Sequence, residues 1–341
     1  MSQKISPLLI NSLKLPVFET LEELSEITRL STRLLYCLSK KTDRYYNVIE
    51  IPKRNGKMRE ISIPSYTLHI VQRWILMEIL NKLVPSSSAM AFRKGDNFGH
   101  KQNAIYHADT LYGLAIDLKD FFPSITANKV YTLFSNLGYN HFAAAILTNL
   151  CTLDGRLPQG SACSPAISNI ICMNMDKRLI GLCEKRGIRF SRYADDMYFS
   201  CDDKLLLLKN YPIIKKIIED EGFLLNERKT HFHTPSNKKQ ITGITISPGK
   251  AENAVAPRKL KQKIRAEIFT CLMTGDYKNR EHILGEIAYV EFIERENKYP
   301  YKDRIRHYIE EKSTKIQYFP ELVQAYNENR FFKDMPLLEG K

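Results

Sequence analysis

Long apolar runs are absent from this 341-residue chain. None approaches the ~20 residues that a bilayer-spanning helix requires, and Leu205 to Leu208 is far too short. The N-terminus lacks the charged-then-apolar pattern of a secretory signal, so a cytoplasmic location with no membrane partner is expected. There is no internal repeat and no low-complexity tract, which argues against a solenoid or a disordered array. Cys-x-x-Cys pairs are also missing: the seven cysteines, at 37, 151, 163, 172, 183, 201 and 271, are odd in number and scattered. They read as reduced core residues of a cytosolic protein. His231 and His233 alternate as on one face of a strand, but no third ligand is near, so a partly exposed strand edge fits better than a metal site. Acidic residues are outnumbered, 38 Asp and Glu against 51 Lys and Arg, leaving a net charge of +13 that suits a polyanionic partner. A hydrophobic content of 43% allows a substantial core in two or three subdomains.

The chemistry concentrates in three segments. In Arg189–Ser200, two aromatic and β-favouring runs flank Ala194-Asp195-Asp196, which predicts a β-hairpin with both carboxylates at or beside its turn. Asp-Asp is a good turn former in its own right. Adjacent carboxylates repel, however, and a hard oxygen-seeking cation such as Mg²⁺ relieves the repulsion. Upstream, a short apolar run from Leu114 ending in Asp117 predicts a buried strand that delivers this carboxylate at its end; Phe121 and Phe122 then read as an extended segment whose side chains face opposite ways, and Pro123 stops whatever follows. Three carboxylates on neighbouring strands suit two metal ions roughly 3.5–4 Å apart, the arrangement that clamps an in-line phosphoryl displacement. Nucleotidyl transfer is therefore predicted. The third segment is Leu157-Pro158-Gln159-Gly160-Ser161, leading through Ser164-Pro165 into a helix-like Ala166–Ile171.

Around these lie simpler elements. Residues 18–40 carry two apolar-periodic stretches, with Ser31 a plausible N-cap for a helix through Tyr36. Residues 45–63 read as a hairpin turning at Asn55-Gly56, its tip bearing Lys53, Arg54, Lys57 and Arg59. Leu68–Met77 reads as a core helix carrying the single tryptophan, and Leu205–Glu221 as a helix despite Pro212. From Ala256 the chain is helical: Leu260, Ile264, Ile268 and Leu272 form a stripe at i+4 spacing, while Arg258, Lys259, Lys261, Lys263 and Arg265 crowd the other faces. Such a face is either solvated surface or a cradle for a phosphate backbone.

Together, the aspartate strand with Phe121-Phe122, the Pro-Gln-Gly loop and helix, and the Tyr-Ala-Asp-Asp hairpin resemble the palm of a reverse transcriptase. Asn103-Ala-x-x-His107 further resembles a signature of retron reverse transcriptases, bacterial enzymes that copy a partner RNA into a branched RNA–DNA molecule. The resemblance implies an α+β right-hand polymerase. Its parts would be a helical extension (1–44), fingers (45–110), an antiparallel-sheet palm (111–250), and a thumb with an RNA-recognition end (251–341). It implies two Mg²⁺ ions on Asp117, Asp195 and Asp196. Arg59, with Lys53 or Lys57, would close on the dNTP triphosphate. Phe122, five residues after Asp117, would exclude a 2′-hydroxyl. Asp120 and Gln159 would contact the nucleotide, and Lys229 would lie near the pyrophosphate. Thr242 and Gly243 would grip the primer, Asn103 and His107 would contact the RNA, and the five cations from Arg258 to Arg265 would follow the backbone.

The partners so implied are a structured noncoding RNA, its DNA product, dNTPs and a separate effector protein of a phage-defence module. With no RNase H motif visible, a host RNase H would remove the template. Tyr308, Tyr318, Phe319 and Tyr326 would suit unpaired bases. Other bacterial reverse transcriptases, or an idle RNA-binding scaffold, are the alternatives; the scaffold predicts eroded carboxylates, and all three are present.

Overall fold

A computed structural model of the chain describes residues 7–52, 56, 58–236, 239–246, 254–294 and 300–315. Lys53, Arg54 and Lys57, together with Tyr318, Phe319 and Tyr326, lie outside the described residues. The chain divides into two compact units, Met1–Gly95 with Gly113–Phe232, and Asp96–Tyr112 with His233–Lys341.

The first unit opens with short helices, of which Thr32–Lys40 is capped as its sequence suggests: the Ser31 hydroxyl accepts from the Leu34 amide at 3.3 Å. Strands β1 (Tyr46–Pro52) and β2 (Met58–Pro64) then pair antiparallel, with Ile51 opposite Arg59. The helix Tyr66–Glu78 comes next, with Leu68, Val71 and Ile75 buried at helical spacing.

The central sheet is built from β3 (Tyr112–Asp117), β4 (Arg189–Tyr193), β5 (Asp196–Cys201) and β6 (His231–His233), in the order β4-β5-β3-β6. Strand β5 carries Met197, Tyr198 and Phe199, all buried, and Phe199 stacks on Phe190 of β4 at 4.8 Å between ring centroids. Gly113 on β3 makes room for this layer: a Cβ there would fall 2.0 Å from the Tyr198 hydroxyl. Helices Met173–Glu184 and Lys204–Asp220 back the β4–β5 hairpin, the second running through Pro212.

In the second unit, β7 (Lys239–Ile241), β8 (Ile244–Ile246) and β9 (Ala254–Val255) form an antiparallel sheet against the helix His100–Tyr106. Helices Arg258–Thr274, Arg280–Ile293 and Tyr301–Lys315 pack together. Ile264, Ile268 and Leu272 of the predicted stripe are buried, and Leu260 is half-buried. All seven cysteines are free thiols, six of them buried. Among the described residues no helix is long and apolar enough to cross a membrane.

Candidate active site

Asp117 stands at the C-terminal end of β3, the strand that lies between β5 and β6. Tyr193 pairs with Asp196 across the β4–β5 hairpin, so Ala194 and Asp195 make a two-residue turn and Asp196 opens β5. Ala194 takes a left-handed φ of 58°, which a residue with a Cβ rarely adopts. The Leu118 amide donates to the Asp195 carbonyl at 2.9 Å, tying the residue after Asp117 to the turn. The three aspartates thus meet at the ends of adjacent strands.

Their electrostatics are unfavourable. Partial burial of its carboxyl and the nearby charges of Asp195 and Asp117 push Asp196 up to about 6, although the residue as a whole is exposed. Burial also raises Asp195, opposed by the cations of Lys229 and Arg59. Lys229 donates to Asp117 Oδ2 at 2.7 Å, and this bond raises the lysine's own pKa. Asn226 holds the other oxygen, its Nδ2 donating to Asp117 Oδ1 at 3.0 Å and its amide to the Asp117 carbonyl at 2.8 Å. An all-oxygen set of crowded carboxylates, already recruiting a lysine as counter-ion, fits hard divalent cations.

The neighbouring residues take distinct places. Arg59 is exposed on β2. Asp120 is exposed with a φ of 46° and starts a short helical turn, Phe121–Ser124. The extended segment expected at Phe121-Phe122 is therefore helical. Phe121 is buried against Phe223, whereas Phe122 is half-buried with its ring 6.3 Å from that of Phe92. The Gln159 carbonyl accepts from the Ser62 amide of β2 at 2.7 Å, and Gly160 comes next with a φ of 126°. A Cβ on Gly160 would meet the Ser62 carbonyl at 2.3 Å, so only glycine lets this loop lie on β2.

In the second unit, Asn103 and His107 are 1% and 0% exposed, so their side chains face its core and not a surface open to RNA. Lys239 donates to the carbonyls of His107 and Thr110, the latter at 2.7 Å. The Thr242 hydroxyl donates to the His100 carbonyl at 3.0 Å, and Gly243 is exposed beside it. Along Arg258–Thr274 the cations divide. Lys261 pairs with the buried Glu294, and Lys263 bridges to Glu286 at 2.5 Å. Arg265 lies over the Tyr308 ring at 5.8 Å, while Arg258 and Lys259 are exposed. His231 is exposed as expected, but His233 is buried.

Sequence reasoning passed over Asn226, and also Arg192, Asp176 and Asn169 beneath the turn.

These features define a nucleotidyl-transferase palm, and comparison with known proteins places it. Residues 51–246 match the reverse transcriptase (RNA-dependent DNA polymerase) family. The chain belongs to that family and, within it, to the retron reverse transcriptases, which are RNA-directed DNA polymerases. It is 35% identical over 283 residues to the Retron Ec86 reverse transcriptase of Escherichia coli, covering 82% of this chain and 87% of that one. To the Retron Mx65 reverse transcriptase of Myxococcus xanthus it is 30% identical over 302 residues, covering 82% and 69%. The α+β architecture with antiparallel sheets is the polymerase fold that the sequence predicts.

Proposed function

We propose that Asp117, Asp195 and Asp196 hold two Mg²⁺ ions and that the chain copies a structured noncoding RNA into branched single-stranded DNA, primed from a 2′-hydroxyl of that RNA. The observation carrying this reading is the convergence of three carboxylates on adjacent strand ends, two of them with raised pKa values. Ions held there would supply Lewis acidity toward the primer hydroxyl and offset the negative charge on the transferring phosphoryl group and the leaving pyrophosphate.

The chain's own residues supply the rest. Asn226 and the Leu118–Asp195 bond fix the Asp117 strand end against the turn. Arg59 is positioned on β2 to draw the triphosphate, its guanidinium fork matching phosphate oxygens. Lys57, outside the described residues, would assist it. Lys229 keeps its proton because Asp117 accepts from it, and it is the group we assign to protonate pyrophosphate. Phe122 offers its ring as the sugar gate, while Asp120 and the Gln159-Gly160 loop line the nucleotide on either side. Thr242 and Gly243 grip the primer end. Asn103 and His107 support that grip from the core of the same unit, where both are buried. Arg258, Lys259 and Arg265 follow the phosphate backbone, with Lys261 and Lys263 shaping the helix through their ion pairs. We assign 45–110 to fingers, 111–250 to palm and 251–341 to thumb and RNA recognition, preceded by the helical extension 1–44. A cytoplasmic setting, a separate effector protein in an antiphage module and template removal by a host RNase H complete the proposal.

The test is to express the gene with its flanking noncoding DNA, treat total nucleic acid with RNase and resolve it on a denaturing gel. A discrete small single-stranded DNA, lost in an Asp195→Asn/Asp196→Asn variant, is expected. Activity of the purified protein on a primed RNA without that cellular product would refute the branched-DNA reading.

A further inference from the structure

Beneath the catalytic turn lies a charged cluster that polymerisation chemistry does not itself require. Arg192 of β4 and Asp176 of the helix Met173–Glu184 are both fully buried, with 0% side-chain exposure. Arg192 Nε and Nη2 donate to the two oxygens of Asp176 at 2.8 and 2.7 Å. Its Nη1 donates to Asn169 Oδ1 at 3.2 Å and to the Ala194 carbonyl at 3.3 Å. Asn169 in turn donates to the Ala91 carbonyl at 2.9 Å. The Arg192 backbone closes the arrangement, its amide donating to the Ser88 carbonyl and its carbonyl accepting from the Met90 amide, each at 2.8 Å.

Stability alone is a weak reason for such a pair. Desolvating both charges consumes most of their attraction, and well-packed apolar residues of similar volume often serve a fold equally well. What an apolar pair cannot supply is the donor to Ala194. That residue is 7% exposed and holds the left-handed φ of 58° that starts the turn. Without a donor its carbonyl is left buried and weakly satisfied, and the turn is free to relax toward a commoner backbone conformation. Asp195 comes next in the chain, and its own carbonyl holds the amide of the residue after Asp117. A shift at Ala194 is therefore passed on to the spacing of the carboxylates.

We propose that Arg192, oriented by Asp176 and Asn169, is a positioning residue that fixes the Ala194–Asp195–Asp196 turn and so sets the divalent-cation affinity of the carboxylate cluster. The inference rests on the metal-binding role proposed above for Asp117, Asp195 and Asp196. It assigns to the helices behind the sheet a part in catalysis that none of their side chains performs by touching substrate.

The discriminating variant is the paired replacement Arg192→Met/Asp176→Leu, which removes both charges and leaves neither orphaned. Cation binding is read directly by electron paramagnetic resonance of Mn²⁺ added to the substrate-free full chain. Turnover is read per active site, after titration of competent enzyme on a primed RNA. The paired variant is expected to unfold in urea at or above the wild-type midpoint, yet to bind Mn²⁺ about 10–100-fold more weakly and to lose kcat over the same range, as changes to groups that orient metal ligands do. A folded paired variant with wild-type Mn²⁺ affinity would overturn the proposal. Should that variant not fold, Asn169→Ala removes one bond that aims the guanidinium: Mn²⁺ affinity reduced severalfold supports the role, and unchanged affinity overturns it. An Asp195→Asn/Asp196→Asn control separates the two claims. Wild-type Mn²⁺ binding in that control would overturn the metal reading, and this proposal with it, whereas lost binding in the control beside unchanged binding in the paired variant overturns this proposal alone.

Discussion

Replacing Asp196 by Asn is expected to stabilise the metal-free protein at pH 8 while abolishing DNA synthesis. The Asp196 carboxyl rises from 3.8 to about 6 through burial and the repulsion of Asp195 and Asp117. At about 1.36 kcal/mol per pH unit, such a rise corresponds to about 3 kcal/mol of cost to the folded state once the group ionises. Asp196 reaches solvent, so screening reduces this to about 1 kcal/mol. The pH dependence has a definite sign. Because the folded state holds this proton more tightly than the unfolded chain, it binds more protons between the two values. Stability from this group is therefore greatest below pH 3.8 and declines as pH rises to about 6. Asparagine carries no such penalty, so its advantage is full at pH 8, smaller at pH 5 and absent near pH 3.8. Urea denaturation in EDTA at pH 5 and pH 8 measures it as a shift in midpoint at constant slope. Added Mg²⁺ should reverse the order, because the ion stabilises the folded wild type by mass action and the variant less. Equal midpoints at pH 8, or an advantage that does not grow between pH 5 and pH 8, would refute the argument that the cluster is electrostatically strained.

Three further outcomes are expected. Gly160→Ala should lower kcat/KM and destabilise the fold by about 1–3 kcal/mol, since the new Cβ meets the Ser62 carbonyl at 2.3 Å and the backbone holds a φ of 126°; a wild-type urea midpoint would show that the loop lifts from β2 without cost. Phe122→Val should raise ribonucleotide incorporation relative to deoxynucleotides in a single-nucleotide extension assay, and unchanged sugar selectivity removes it as the gate. Arg258→Ala/Lys259→Ala should flatten the dependence of log affinity for RNA on log salt by about 1–2 without loss of stability, whereas Lys261→Ala should destabilise the fold by about 1.5–3 kcal/mol, because Glu294, whose side chain is 1% exposed, loses one of its two cation partners and keeps Arg304 at 2.6 Å. Identical behaviour of the two variants in both assays would contradict the division of these cations into exposed and paired.

Much of the site was legible because its elements obey strong local rules. The β4–β5 hairpin turns where its sequence says, Asp117 ends an apolar strand, and Ser31 caps its helix. Where reading failed, a tertiary or stereochemical detail intervened. Pro123 looks like a terminator after an extended Phe121-Phe122, but proline is tolerated in the first turn of a helix, and Asp120 in a left-handed conformation swings the chain into one. His231 and His233 share a strand face by period, yet only His231 is exposed, because strand pattern says nothing of what packs at each end. Asn103 and His107 carry a family signature whose meaning in sequence was RNA contact. Their burial shows a helix locked to the β7–β9 sheet, a relation formed between segments more than a hundred residues apart. Asn226 escaped notice for the same reason, as did the setting of Arg192, since only the fold brings Asn226 to Asp117 and Asp176 and Asn169 to Arg192.

The carboxylate cluster and the groups around it are energetically one system. Ionised aspartates at a turn disfavour the folded state, and a strained φ at Ala194 adds to that cost. Both are tolerated because the turn is overdetermined: Leu118 bonds to Asp195, Arg192 bonds to Ala194 from a cage of Asp176 and Asn169, and Phe190 and Phe199 stack farther along the two strands. Lys229 and Asn226 then occupy the two oxygens of Asp117, so the metal-free cluster is held with its charge partly neutralised. An isolated Asp-Asp would relax by moving its carboxylates apart. Held in this frame it cannot, and a divalent cation is what remains to relieve it.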